Sequence, residues 1–173
     1  MKQALLRWLL LWLATLELVV ALREAGVRLN TSASVPRGFY RVSWELPKRG
    51  DYVAVCPPQD GIFELARDRG YVGRGRCPGD YAALIKVFAA GAGDHVRIDE
   101  SGVRVGERFW PSSAPMKVDA AGRPLLVSAL DRTLDSGSVL VMSQDCPSGF
   151  DARYFGPLSR SAIVGTAVPL LTW

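Results

Sequence analysis

At 173 residues with a net charge of +4, the chain has room for one domain with a real core and a short accessory segment. Its basic residues are mostly dispersed arginines with no basic stripe interleaved with aromatics, which weighs against a nucleic-acid-binding surface. One histidine and three cysteines, none in a Cys-x-x-Cys pair, leave no ligand set for a zinc site, and no phosphate-binding glycine loop points to a nucleotide cofactor.

The chain opens with an apolar run from Ala4 to Leu22, and Lys2 and Arg7 stand at its start. Nineteen helical residues reach about 28 Å, close to the ~30 Å hydrocarbon core of a bilayer. Trp8 and Trp12 suit an interface; Arg7 can snorkel, while Glu17 is a cost unless it lies near the far side. Residues 1–24 are therefore expected to be a membrane anchor, with a cleaved signal peptide or an amphipathic helix as alternatives, and residues 25–173 the folded domain. Positive charge at the very start predicts a cytoplasmic N-terminus and an exported body.

Beyond the anchor, Glu24–Asn30 reads as a connector into a small-residue turn, Ser32-Ala33-Ser34-Val35-Pro36. Strands are predicted over Phe39–Trp44, Tyr52–Val55 and Tyr81–Ala89, with a short helical piece at Gly61–Arg67. His95–Asp99 and Val103–Val105 around Glu100-Ser101-Gly102 have the alternation of a hairpin, and Ser138–Met142 and Ala162–Val168 add further strands. A looser segment, Pro111–Pro124, separates them. The expected fold is mainly β, a coiled or barrel-like set of antiparallel sheets with little helix outside the anchor. If the body is exported, one disulfide is permitted. Cys56 and Cys77, each followed by proline and bracketing a polar stretch, are the candidate partners, with free thiols as the alternative.

The chemistry rests on one serine and one lysine. Ser34 lies in a turn of small residues beside a φ-fixing proline, where a substrate backbone can approach; its own N–H and the Ser32 hydroxyl are candidate oxyanion donors. A serine that attacks an amide needs a base. The chain has four lysines against seventeen arginines, and only Lys86 interrupts an apolar strand, Ala82–Phe88. Burial there would lower its pKa enough to make it a base near neutrality, a role no arginine can take. The bland readings are a Ser/Thr-rich linker and a snorkelling strand lysine. The sole histidine, His95, is expected on the hairpin surface and not in a triad.

Three segments carry a resemblance: Asn30–Tyr40, the Leu84-Ile85-Lys86-Val87 strand leading to Gly93-Asp94, and Phe150–Pro157. In this order they resemble the core boxes of type I signal peptidases, and in particular the TraF-type conjugative-transfer branch. The resemblance implies that Ser34 is the nucleophile, Lys86 the general base, Ser32 an oxyanion-hole hydroxyl and Asp151 the carboxylate that orders the site, with no cofactor. It also implies a bacterial inner-membrane enzyme whose catalytic domain lies in the periplasm. The partner would be a precursor protein, a conjugative pilin or another secreted chain, which the enzyme cuts or closes into a ring. A housekeeping leader peptidase and a non-catalytic β-rich scaffold are the rival readings.

Several positions depart from the family pattern. Val35 replaces a methionine and Ala152 a serine. Gly149 stands where the family has a serine that orients the lysine, so that either Ser148 takes its place through a bulge or the pair is held less firmly. Ser143-Gln144-Asp145 replaces Gly-Asp-Asn.

Overall fold

The computed structural model describes residues 2–173. Helix α1 (Lys2–Glu24) contains no buried residue and is long and apolar enough to cross a bilayer. Two residues later the β fold begins. Its strands are β1 (Val27–Asn30), β2 (Gly38–Ser43), β3 (Tyr52–Val55), β4 (Arg74–Cys77), β5 (Leu84–Ala90), β6 (His95–Asp99), β7 (Gly102–Val105), β8 (Arg108–Phe109), β9 (Leu130–Thr133), β10 (Ser138–Met142), β11 (Leu158–Ser159) and β12 (Ile163–Thr172). Helices α2 (Gly61–Asp68) and α3 (Ala152–Phe155) are the other two α-helical pieces.

Eleven of these strands pair antiparallel in two sheets, a larger one of seven and a smaller one of four. The larger sheet runs β1-β2-β12-β3-β5-β10-β11 and the smaller β8-β7-β6-β9; β4 stands apart, bridged to Tyr81. β12 is the long central strand, and its register slips once against β3 and once against β2, the second time between Pro169 and Leu171. Such bulges bend a strand, let a sheet curl and tolerate a proline inside it. The expected mainly β, curled antiparallel architecture with one apolar N-terminal helix is what the chain adopts.

Three apolar clusters fill the fold. Val53, Val55, Val139 and Val141 of the larger sheet pack on Phe63 and Ala66 of α2. That helix starts where the Asp60 carboxylate accepts hydrogen bonds from the N–H groups of Ile62 and Phe63, capping its first turn. Ala90, Leu140 and Met142 meet Val96, Ile98 and Val103 of the smaller sheet. A third cluster gathers Val35, Tyr40, Ile85, Val87 and Ala167, and it holds the serine turn onto the lysine strand.

The sequence reading located the hairpin, α2 and β10 within a residue or two. It missed β1, taken as a connector, because Arg28 and Leu29 are both exposed and no alternation shows. The final strand runs on to Thr172, past Pro169, where a proline normally argues for a stop.

Candidate active site

The turn between β1 and β2 is closed by one side chain. Asn30 is buried, and its Nδ2 lies 3.0–3.1 Å from the carbonyl oxygens of Ser32, Val35 and Pro36. Its Oδ1 accepts from the Ser32 N–H at 3.2 Å and from the Ser32 hydroxyl at 2.8 Å. Tyr40, one strand residue inward, donates its hydroxyl to the Pro36 carbonyl at 2.6 Å. Val35, 2 % exposed, plugs the turn into the apolar cluster. The Gln144 N–H donates to the Ser34 carbonyl at 2.6 Å, tying the turn to the end of β10. Among the described residues the Ser34 N–H has no partner, so it is free to donate to an oxygen bound beside the Ser34 hydroxyl.

Lys86 comes from β5 and is 3 % exposed. Its Nζ lies 2.7 Å from Ser34 Oγ and 3.0 Å from Ser143 Oγ. Burial pushes its ammonium down from the ordinary 10.5 to about 8, against the upward pull of the Asp151 carboxylate. A lysine so placed is a base available at mildly alkaline pH and is already hydrogen-bonded to a serine hydroxyl, the geometry a nucleophile and its base require.

Asp151 does not touch the lysine. It is fully buried, and its Oδ2 accepts from the Ser143 N–H at 3.0 Å, so the carboxylate positions the backbone that carries the lysine's second partner. Its charge is matched by Arg153, whose Nε and Nη2 reach the two carboxylate oxygens at 2.7 and 2.8 Å. The same guanidinium donates to the carbonyls of Cys146, Pro147 and Gly149, each at 2.8 Å, and folds the 144–150 loop back over the site.

This folding answers the question left by Gly149. The partner of Lys86 is Ser143, and Ser148 takes no part: its hydroxyl is exposed and lies 3.9 Å from the Cys146 sulfur. A Cβ built on Gly149 would stand 2.2 Å from Ser143 Oγ. Position 149 therefore has no room for a side chain while Ser143 occupies that space. Ser143 and Gly149, six positions apart and both departures from the resembled pattern, are two halves of one packing solution. Ser32, Ser34, Lys86 and Asp151 all fall within this site, although Ser32 now gives its hydroxyl to Asn30. His95 does not: it is exposed on the smaller sheet, 3.2 Å from Asp131. Cys56 and Cys77 are bonded to each other, joining the end of β3 to β4, and Cys146 is free.

A cleft of about 450 Å³ opens alongside, with Tyr52, Val87, Ala89, Val105, Trp110 and Gln144 among its walls. Tyr52 donates to the Gln144 side-chain oxygen, and the Trp110 indole donates to the Ser143 carbonyl at 2.9 Å. The cleft is thus linked to the serine–lysine pair through Gln144 and Trp110, while neither Ser34 nor Lys86 lines it.

Residues 3–173 match the family described as signal peptidase, peptidase S26. The chain belongs to the signal peptidase family. Within it, a plasmid transfer protein TraF of Escherichia coli is 45 % identical over 161 residues, covering 92 % of this chain and 91 % of the relative. A conjugal transfer protein TraF of Agrobacterium tumefaciens (strain 15955) is 37 % identical over 164 residues, with 90 % and 88 % covered. The crystal structure of a signal peptidase I from Enterococcus faecalis V583 overlaps 72 % of this signal peptidase homologue and 98 % of its own chain, at a TM-score of 0.40 and 15 % identity.

Proposed function

We propose that this protein is a membrane-anchored serine endopeptidase in which Ser34 is the nucleophile and Lys86 the general base. The observation that carries the reading is the buried Lys86 Nζ at 2.7 Å from Ser34 Oγ. With Lys86 neutral, Nζ takes the Ser34 hydroxyl proton as Oγ forms a bond to the scissile carbonyl carbon. The oxygen of that carbonyl becomes an anion facing the free Ser34 N–H, and the Ser32 hydroxyl can join it by leaving Asn30. Collapse of the intermediate breaks the C–N bond. The departing amine takes the proton from Lys86, leaving an acyl-serine that water or a second amine can resolve.

The substrate class we assign is an exported precursor of a conjugation system, a pilin foremost. The plasmid-transfer and conjugal-transfer names of the relatives support that choice. The anchor at the N-terminus, Lys2 and Arg7 at its start and the Cys56–Cys77 bond support an inner-membrane protein with residues 25–173 in the periplasm.

The test is processing of a precursor by full-length protein in membranes. Ser34→Ala and Lys86→Arg are each expected to fold, insert and lose cleavage by at least about a thousandfold, since either change removes one partner of a pair that acts as a unit. Lys86→Arg keeps the positive charge and removes only the ability to give up a proton. Near-normal cleavage by that variant would overturn the assignment.

A further inference from the structure

The cleft beside the serine–lysine pair combines an apolar floor with a guanidinium at its rim. Its volume of about 450 Å³ falls within the roughly 300–1,000 Å³ of small-ligand sites. Val87 and Ala89 of β5 and Val105 of β7 form the floor, all three buried. Of the charged side chains that line the cleft, Arg49 is bridged to Asp94, and the Asp145 carboxylate accepts from the Ser112 hydroxyl. Arg108 differs. Among the described residues it is in ion-pair reach of no carboxylate and donates no side-chain hydrogen bond.

An unpaired arginine on a surface is ordinary, but this one is placed. The tight turn between β7 and β8 sets Arg108 directly opposite Val105, so both project from one face into the cleft. Its guanidinium stands over the ring of Trp110, another wall residue, 5.9 Å from the centroid. Such a cation–π contact orients the planar fork and leaves its N–H edge for an acceptor. An oriented guanidinium above an apolar floor suits a carboxylate carried on an aliphatic stem. The two aromatic walls also reach the reacting pair. Tyr52 donates to the Gln144 side chain, whose backbone N–H holds the Ser34 carbonyl. Trp110 donates to the Ser143 carbonyl, and the Ser143 hydroxyl meets Lys86. Each wall is thus one residue removed from the nucleophile or from the base.

We propose that this cleft is a carboxylate subsite for the precursor, with Arg108 as the residue that sets the preference. This rests on the reading of Ser34 and Lys86 as a peptidase pair. The carboxylate belongs to an aspartate or glutamate near the scissile bond, or to the end of the precursor chain; either offers two oxygens to one guanidinium. An uncharged residue of the same shape fills the floor, leaves Arg108 unpaired and is cleaved more slowly.

The experiment uses full-length protein in detergent and synthetic peptides with alanine at the first and third positions before the scissile bond. Glutamate is moved through the flanking positions on both sides, each peptide is paired with its glutamine counterpart, and each is made with a free or an amidated end. Glutamate in one short window, or a free chain end there, is expected to raise kcat/KM about tenfold over the uncharged counterpart. The substitution that carries the effect identifies the source of the carboxylate. Arg108→Gln should bring the ratio within about twofold of unity, and Arg108→Glu should turn the preference toward lysine. Arg104→Gln, which removes the same charge from the other face of the hairpin, should leave the ratio intact. A ratio near unity at every position in an active parent overturns the subsite and leaves the serine–lysine pair standing. A preference that survives Arg108→Gln, or that falls equally with Arg104→Gln, overturns Arg108 as its origin. A proportional loss on charged and uncharged peptides in Arg108→Gln shows a disturbed wall and overturns the proposal as well. Cleavage of no peptide by the parent, or undiminished cleavage by Ser34→Ala, overturns the peptidase reading and the subsite with it.

Discussion

Lys86 is costly to bury and useful only because it is buried. With its folded pKa near 8, the fraction of neutral base rises as pH climbs through that value. Cleavage of a soluble peptide by the full-length protein should therefore increase from pH 6 to pH 9 along a single limb with its midpoint near 8, and stay high above it. His95→Gln should leave the limb in place, since that imidazole pairs with Asp131 on the other sheet. A limb that vanishes with His95 would reject the lysine as base. The second partner of the lysine gives a sharper test. Gly149→Ser should lower the rate by about ten- to a hundredfold, because its Cβ would stand where the Ser143 hydroxyl now lies. The double variant Ser143→Gly with Gly149→Ser should recover most of that loss. Failure of the double variant to exceed the single one would show that the two positions do not exchange roles.

At the scale of elements, the site is a β1–β2 turn, a β5 strand and the loop from β10 to α3 brought together. The turn and the strand were legible. A lone lysine within an apolar strand and a serine among small residues are each anomalies that chemistry explains. The loop was not legible, and the reason is geometric. Counting back from Asp151 along the chain reaches Ser148 first, whereas Arg153 gathers the carbonyls of Cys146, Pro147 and Gly149 and returns Ser143 to the lysine. No one-dimensional spacing encodes a guanidinium that binds several carbonyls and a carboxylate at once. The role of Asn30 was also not read, although an asparagine at the start of a small-residue turn is a signal of a side chain closing that turn on itself. The Arg153–Asp151 pair should be correspondingly sensitive. Arg153→Lys keeps the charge and loses the bidentate contact and most of the carbonyl bonds, and should destabilise the domain by about 3–5 kcal/mol in denaturant unfolding. A loss below about 1 kcal/mol would mean that the loop is held by something else.

For the whole molecule, composition and turn spacing were enough to read a curled antiparallel β fold, because glycines and prolines punctuate short valine-rich runs throughout the chain. The order of strands was beyond reach: nothing local reveals that the last strand sits between the second and the third. The covalent tie from Cys56 to Cys77 encloses α2 and β4, away from the serine turn. Its reduction should therefore lower thermal stability, by about 2–4 kcal/mol on the chain-entropy account, while the folded fraction keeps its cleavage rate. Rate loss in proportion to reduction at a temperature where the fold persists would place the bond in the site's support.

The position of β12 has an effect in time as well as in space. β2 carries the serine turn and β3 leads to the lysine strand, yet the two never pair with each other; each pairs with β12. While the chain is being made, Ser34 and Lys86 are both present in its first ninety or so residues, but the sheet that joins β2 to β3 closes only when residues 163–172 arrive. On the proposed reading, the nascent protein would have no working site until its last strand is added. A chain ending at Ala162 should be inert toward peptide, and a synthetic strand of residues 163–173 added in excess should restore cleavage, making the final strand a removable key to the catalyst.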